Sequence, residues 1–137
     1  VMYSLTTNKI KVSVMPYYME GQSITSEEQF TWAYRILIEN LGEKIVQLIS
    51  RHWVITDANG LTKEVKGPGV VGEQPVLIPG QIYEYTSGVS LTTQSGLMAG
   101  TYQMVEIGDD GEPGGKIFNI DIPAFSLDTP EQLKKPN

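Results

Sequence analysis

The run Phe30-Thr-Trp32-Ala-Tyr34-Arg-Ile36-Leu-Ile38-Glu39 decides the fold. Its even positions are all large and apolar. Its odd positions include Thr31, Arg35 and Glu39. Side chains of a strand alternate between two faces, so the run predicts a strand with one face in a core and one toward water. A helix would instead need apolar groups every three to four residues.

The same period recurs on both sides of this run. Ile10-Lys-Val12-Ser-Val14 alternates in the same way. Ile45 to Ile55 is apolar on both faces of a regular strand. Val46, Leu48 and Val54 fall on one, Ile49, Trp53 and Ile55 on the other, which predicts a central strand. Segments 82–85, 102–106 and 117–122 complete the set. Asn40-Leu-Gly42-Glu43, Asp57-Ala-Asn59-Gly60 and Pro79-Gly80 are turn signals. Segments 21–28 and 108–115 read as loops, and the polar tail 129–137 reads as free to fray. No segment sustains a 3.6-residue period.

About seven short strands without helices predict an all-β fold, an immunoglobulin/fibronectin type III-like antiparallel β-sandwich. A small barrel is the alternative. Ala99-Gly-Thr-Tyr102-Gln-Met104 sharpens the expectation. In immunoglobulin domains a Tyr at the start of strand F stands two residues before a core Cys. Met104 takes that core slot here, and Trp53 is the candidate core Trp.

At 137 residues the chain has the length of one domain, read as 1–137 with its core at about 9–127. It carries 10 Lys+Arg against 16 Asp+Glu, a net charge of -6. Non-specific nucleic-acid binding needs clustered cations, so no nucleic-acid partner is expected. The chain has no Cys, which excludes disulfides and thiolate metal sites. No apolar run approaches the roughly 20 residues of a membrane helix, and residues 1–7 show no leader pattern. No membrane association is expected.

One stretch offers a ligand motif. Gly67-Pro68-Gly69-Val70-Val71-Gly72 matches G-x-G-x-x-G. The dinucleotide version needs a strand before it and a helix after it. Pro75 and Pro79-Gly80 leave no room for that helix. Two readings remain. Backbone N–H groups at Gly67, Gly69 and Gly72 could form an anion nest, with Arg51, Lys63 and Lys66 pairing phosphate or pyrophosphate oxygens. Alternatively, the glycines serve turns and close packing, and Val70 and Val71 plug the core. Pro68 removes one N–H from the nest, which favours the structural reading.

Other candidates are weaker. His52 is the sole histidine and pairs with no Ser/Asp arrangement, so a structural role is expected. Asp109, Asp110 and Glu112 crowd one loop, but solvated carboxylates explain them better than a Mg2+ or Ca2+ site. No catalytic residue, metal site or cofactor is expected. Tyr17 and Tyr18, with Met15 and Met19, suggest an interaction edge.

Several stretches resemble the ApaG family, also called CorD-type. They are Ser50-Arg51-His52-Trp53, Ile55-Thr56-Asp57, the glycine stretch from Val65 to Pro75, Tyr85-Thr86-Ser87-Gly88, Gly96 to Met104, and Ile122-Pro123-Ala124-Phe125. The resemblance spans about Lys9 to Leu127. It implies a fibronectin type III-like sandwich in a cytoplasmic bacterial protein, linked by genetics to cobalt resistance and magnesium efflux. It also implies eukaryotic relatives, in some F-box proteins and in a polymerase-delta-interacting protein, where the domain is taken to mediate protein interaction. The resemblance implies no enzymatic activity. Another protein is the expected partner, and phosphate, pyrophosphate or nucleotide binding (with hydrolysis) at the glycine loop is the alternative.

Overall fold

The alternating run at Phe30 forms the third of nine strands in the computed structural model, which describes residues 1–134. The strands are β1 (Tyr3–Thr7), β2 (Ile10–Tyr18), β3 (Phe30–Asn40), β4 (Val46–Asp57), β5 (Thr62–Pro68), β6 (Val76–Leu77), β7 (Ile82–Leu91), β8 (Ser95–Ile107) and β9 (Pro113–Asp128). All pairings between them are antiparallel. One sheet has the order β1-β2-β3-β7. The other has the order β5-β4-β8-β9, with β6 also on β4. The fold is the expected all-β sandwich.

β3 alternates buried and half-buried residues along its whole length, as its sequence requires. Trp32, Ile36 and Ile38 meet Leu48, Met104, Tyr102 and Ile120 from the facing sheet in one core. Trp53 stacks edge-on to Tyr34 at 5.4 Å and to Phe125 at 6.0 Å. The Trp32 indole N–H donates to the Asp128 carbonyl at 3.0 Å, so this buried donor is satisfied across the sheets.

β4 departs from the expected faces. It is central, but not because both its faces are apolar. A β-bulge at Leu48/Ser50 inserts Ile49 and reverses the phase. Val46 and Leu48 point inward before it, Trp53 and Ile55 after it. Val54 and Ile49 therefore do not share the core with Val46 and Trp53. Arg51, two residues before Trp53, shares this inner face as plain alternation requires.

Three further differences have local causes. β5 carries only Val65 as a large apolar residue, so an exposed edge strand left no period-two signal. β9 starts at Pro113, which shortens the expected loop to 108–112. The tail does not fray from residue 129. Thr129 is buried, its N–H donates to the Gln94 carbonyl, and its Oγ1 accepts the Gln132 N–H at the start of α1 (Pro130–Lys134). Residues 135–137 of that tail lie outside the described residues. Two single 3-10 turns, Glu20–Gln22 and Thr25–Glu27, occupy the expected loop at 21–28.

The two long sides of the sandwich differ. On one, β1 and β2 pack against β9. Tyr3 meets Phe125 there, and the Thr7 hydroxyl accepts the Asp121 N–H. On the other, the edge strands β5 and β7 stand apart and leave a cleft.

Candidate functional site

The cleft between β5 and β7 is lined by residues of β3, β4, β5 and β7 and by Met98 of β8. β3 supplies Tyr34 and β4 supplies Arg51, Trp53 and Ile55. β7 supplies Ser87, Val89 and Leu91. The cavity holds about 570 Å³ and shares Tyr34, Arg51, Trp53 and Ser87 as lining residues with a second one of about 300 Å³ under the glycine loop. Lys63 and Val65 form the β5 wall.

The glycine loop closes one end. Val70 N–H donates to the Glu73 carbonyl and Glu73 N–H returns to the Val70 carbonyl, at 2.8 and 2.9 Å. Val71 and Gly72, with φ of 43° and 81°, have the signs of a type I′ turn. Val70 is fully buried. Gly69 N–H donates to the carbonyl of Ile49, the bulge residue, and Gln74 Nε2 donates to the same oxygen. The Tyr83 hydroxyl donates to Glu73 Oε2 at 2.7 Å, tying the hairpin to β7. A Cβ at Gly69 would collide with the Glu73 carbonyl.

Arg51 is the cation of the site. Its Nη1 donates to the carbonyls of Pro68 and Gly69, both at 3.0 Å. Its guanidinium lies against Gly67, where a Cβ would stand 3.1 Å from Nη1. Burial raises the phenols of Tyr34, Tyr85 and Tyr102, and the positive charge of Arg51 pulls all three the other way. The field of Arg51 thus reaches across the cleft into the facing sheet.

The structure does not gather all the candidate cations. Arg51 and Lys63 share the cleft. Lys66 pairs with His52 in register on the opposite face of the sheet. The Gly69 and Val70 N–H groups already have backbone partners, and Gly67 serves as the bed of the Arg51 side chain. Gly72 stands at the exposed hairpin tip.

His52 Nε2 meets Glu64 Oε1 at 2.8 Å on that outer face. Asp110 Oδ1 accepts the Glu112 N–H within its own loop. Among the described residues no three His, Cys, Asp or Glu side chains converge as metal ligands. No described helix is long and apolar enough to cross a membrane. Tyr17 is exposed, whereas Tyr18 packs edge-on against Trp32. Tyr34 and Tyr85 are legible only as strand residues, and Ser87 only as part of the family-like stretch Tyr85-Thr86-Ser87-Gly88. That they line a cleft with Arg51 depends on how the two sheets face each other and on which sheet edge stays open.

The sequence model of the ApaG domain matches residues 20–106, well over half of the chain. The chain belongs to the ApaG family. It is 55% identical to Protein ApaG of Paramagnetospirillum magneticum over 136 residues, 99% of this chain and all of that one. It is 54% identical to Protein ApaG of Brucella anthropi over the same span. Among solved structures it is similar to a putative ApaA protein from Bordetella pertussis. That likeness has a TM-score of 0.80 at 45% identity and covers 88% of this chain and 94% of that one. The ApaG glycine loop is therefore seen here as a hairpin strapped over one end of an inter-sheet cleft.

Proposed function

We propose that this ApaG chain is a non-enzymatic binding module that engages another protein along the open side of its sandwich. The observation that carries this is the pair of unpaired edge strands, β5 and β7, facing each other across an aromatic-floored cleft. Unpaired strand edges offer free N–H and C=O groups, and sandwiches recruit partners there. The other side is already covered by β1 and β2 on β9. The link to cobalt resistance and magnesium efflux that the resemblance implies then runs through the partner.

The alternative is phosphate, pyrophosphate or nucleotide binding at the glycine loop, with Arg51 as the cation at the loop and Lys63 farther along the cleft, opposite Ile55. Affinity capture from bacterial lysate separates the readings. Wild type should retain a partner that Val89→Lys, inside the cleft, loses and Ser90→Lys, on the outer face of β7, keeps. Capture indifferent to both variants, with thermal stabilisation by pyrophosphate, would favour the alternative.

A further inference from the structure

We propose that the cleft takes an extended acidic peptide segment, paired to the free edge of β7 with a carboxylate on Arg51. This rests on the protein-binding reading and gives its partner a chemistry.

Arg51 supplies the first argument. A guanidinium has five N–H donors in a planar fork. Nη1 is spent on the Pro68 and Gly69 carbonyls, which fix the side chain in place. Nη2 and Nε make no bond to the described residues, and no buried side-chain nitrogen or oxygen lacks a partner. The remaining donors are therefore accessible, on a side chain that lines the cleft. Among the described residues the ion pairs are Arg35–Glu84 and His52–Glu64, both without Arg51. Asp57 lines the far end, but its Oδ1 already accepts the Asn59 and Leu61 N–H groups. A chain with 16 acidic residues thus leaves one positioned guanidinium without a carboxylate, while Lys63 stands farther along the same cleft, opposite Ile55. An incoming carboxylate would meet the fork with matched, charge-assisted hydrogen bonds.

The strand edges supply the second argument. Proteins guard exposed edges with charges, prolines and bulges. β5 carries Lys63, Lys66 and Pro68. β7 has no charge and no proline from Tyr85 to Leu91. That stretch spans about 20 Å of extended chain. Because β1 and β2 lie over β9, a strand added beside β7 falls opposite β5. Its inward side chains would enter the cleft. Arg51 and Ile55 are separated by four residues of β4, about 13 Å. A carboxylate on Arg51 therefore places the side chain four residues away among Ile55, Leu61 and Leu91, which are apolar.

The test uses the whole chain and the blocked heptapeptide Thr-Glu-Thr-Val-Thr-Val-Thr, its reversed-order form, and the versions with Gln for Glu. Amide chemical shifts are followed on titration. One of the two acidic peptides should give saturable shifts confined to residues 62–67 and 85–91. Its Gln version should bind about tenfold more weakly, the effect of losing one charged hydrogen-bonded contact. Arg51→Gln should lose the same preference. The Gln peptide reads that contact without touching the protein, so it decides even where Arg51→Gln loosens the hairpin. No shifts with either acidic peptide, equal affinity for Glu and Gln versions, or shifts on another face would overturn the proposal. Equal displacement by free acetate would overturn it too, in favour of a small-carboxylate site. Failure here, with partner capture still lost in Val89→Lys, would sink the acidic peptide and leave the binding module standing.

Discussion

The hydroxyl oxygens of Tyr85 and Tyr102 lie 2.5 Å apart and join the two sheets deep in the sandwich. Each is the other's partner, so neither buried phenol is orphaned. In immunoglobulin domains the corresponding Tyr bonds to backbone. Here the bond is between side chains of β7 and β8. Tyr85→Phe should destabilise by about 1–3 kcal/mol, because it leaves the Tyr102 hydroxyl buried without a partner. The Tyr85→Phe/Tyr102→Phe double variant should cost less than the sum of the singles. Urea denaturation of the four proteins measures the cycle, and strict additivity would show that the two hydroxyls do not interact.

Alkaline pH should act through the same groups. Burial raises the Tyr85 and Tyr102 phenols above their ordinary value of 10.0. Tyr83 is pushed up to about 12, by burial first and then by its bond to Glu73. The unfolded chain ionises these phenols near pH 10, while the folded chain keeps them neutral. Their contribution is complete below pH 10 and is lost as pH climbs toward the folded values. Denaturation midpoints should hold steady up to about pH 9 and fall above 10. The double Phe variant should show a shallower fall. An equal fall would assign it to other groups.

The glycine loop contains a graded series. Gly69 combines φ of 60° with a Cβ position blocked by the Glu73 carbonyl, so Gly69→Ala should cost about 2 kcal/mol or more. Gly72 has φ of 81° but open space around it, so Gly72→Ala should cost only about 1 kcal/mol, the left-handed penalty alone. Val71 is β-branched with φ of 43° at an exposed tip. Val71→Asn should therefore stabilise by up to about 1 kcal/mol. Thermal or urea melts rank the three, and Gly72→Ala more damaging than Gly69→Ala would refute this account of the hairpin.

Trp53 anchors the aromatic cluster between Tyr34 and Phe125 and is 3% exposed. Trp53→Ala should cost about 3–5 kcal/mol by leaving a cavity that the two sheets cannot close. A loss under about 1 kcal/mol would remove Trp53 from the core.

What the sequence determined by itself is the sandwich and most of its core. Alternation is a local property, and Phe30 to Ile38, Ile10 to Val14, Tyr102 and Met104 each carry their face in their spacing. Edge strand β5 escaped because a strand that buries almost nothing has no apolar period to show. The site lay beyond local reach. Alternation alone puts Arg51 on the face of Trp53 and His52 on the other, but it cannot show the inserted Ile49, which brings Val46 and Leu48 onto that same inner face. Register with β5 then sends Lys63 into the cleft and Lys66 behind the sheet. The pairing of Tyr85 with Tyr102, and the choice of which side of the sandwich stays open, depend on contacts between strands distant in sequence. Only the packed tertiary structure sets those, because spacing along one strand carries no information about which strand lies across from it.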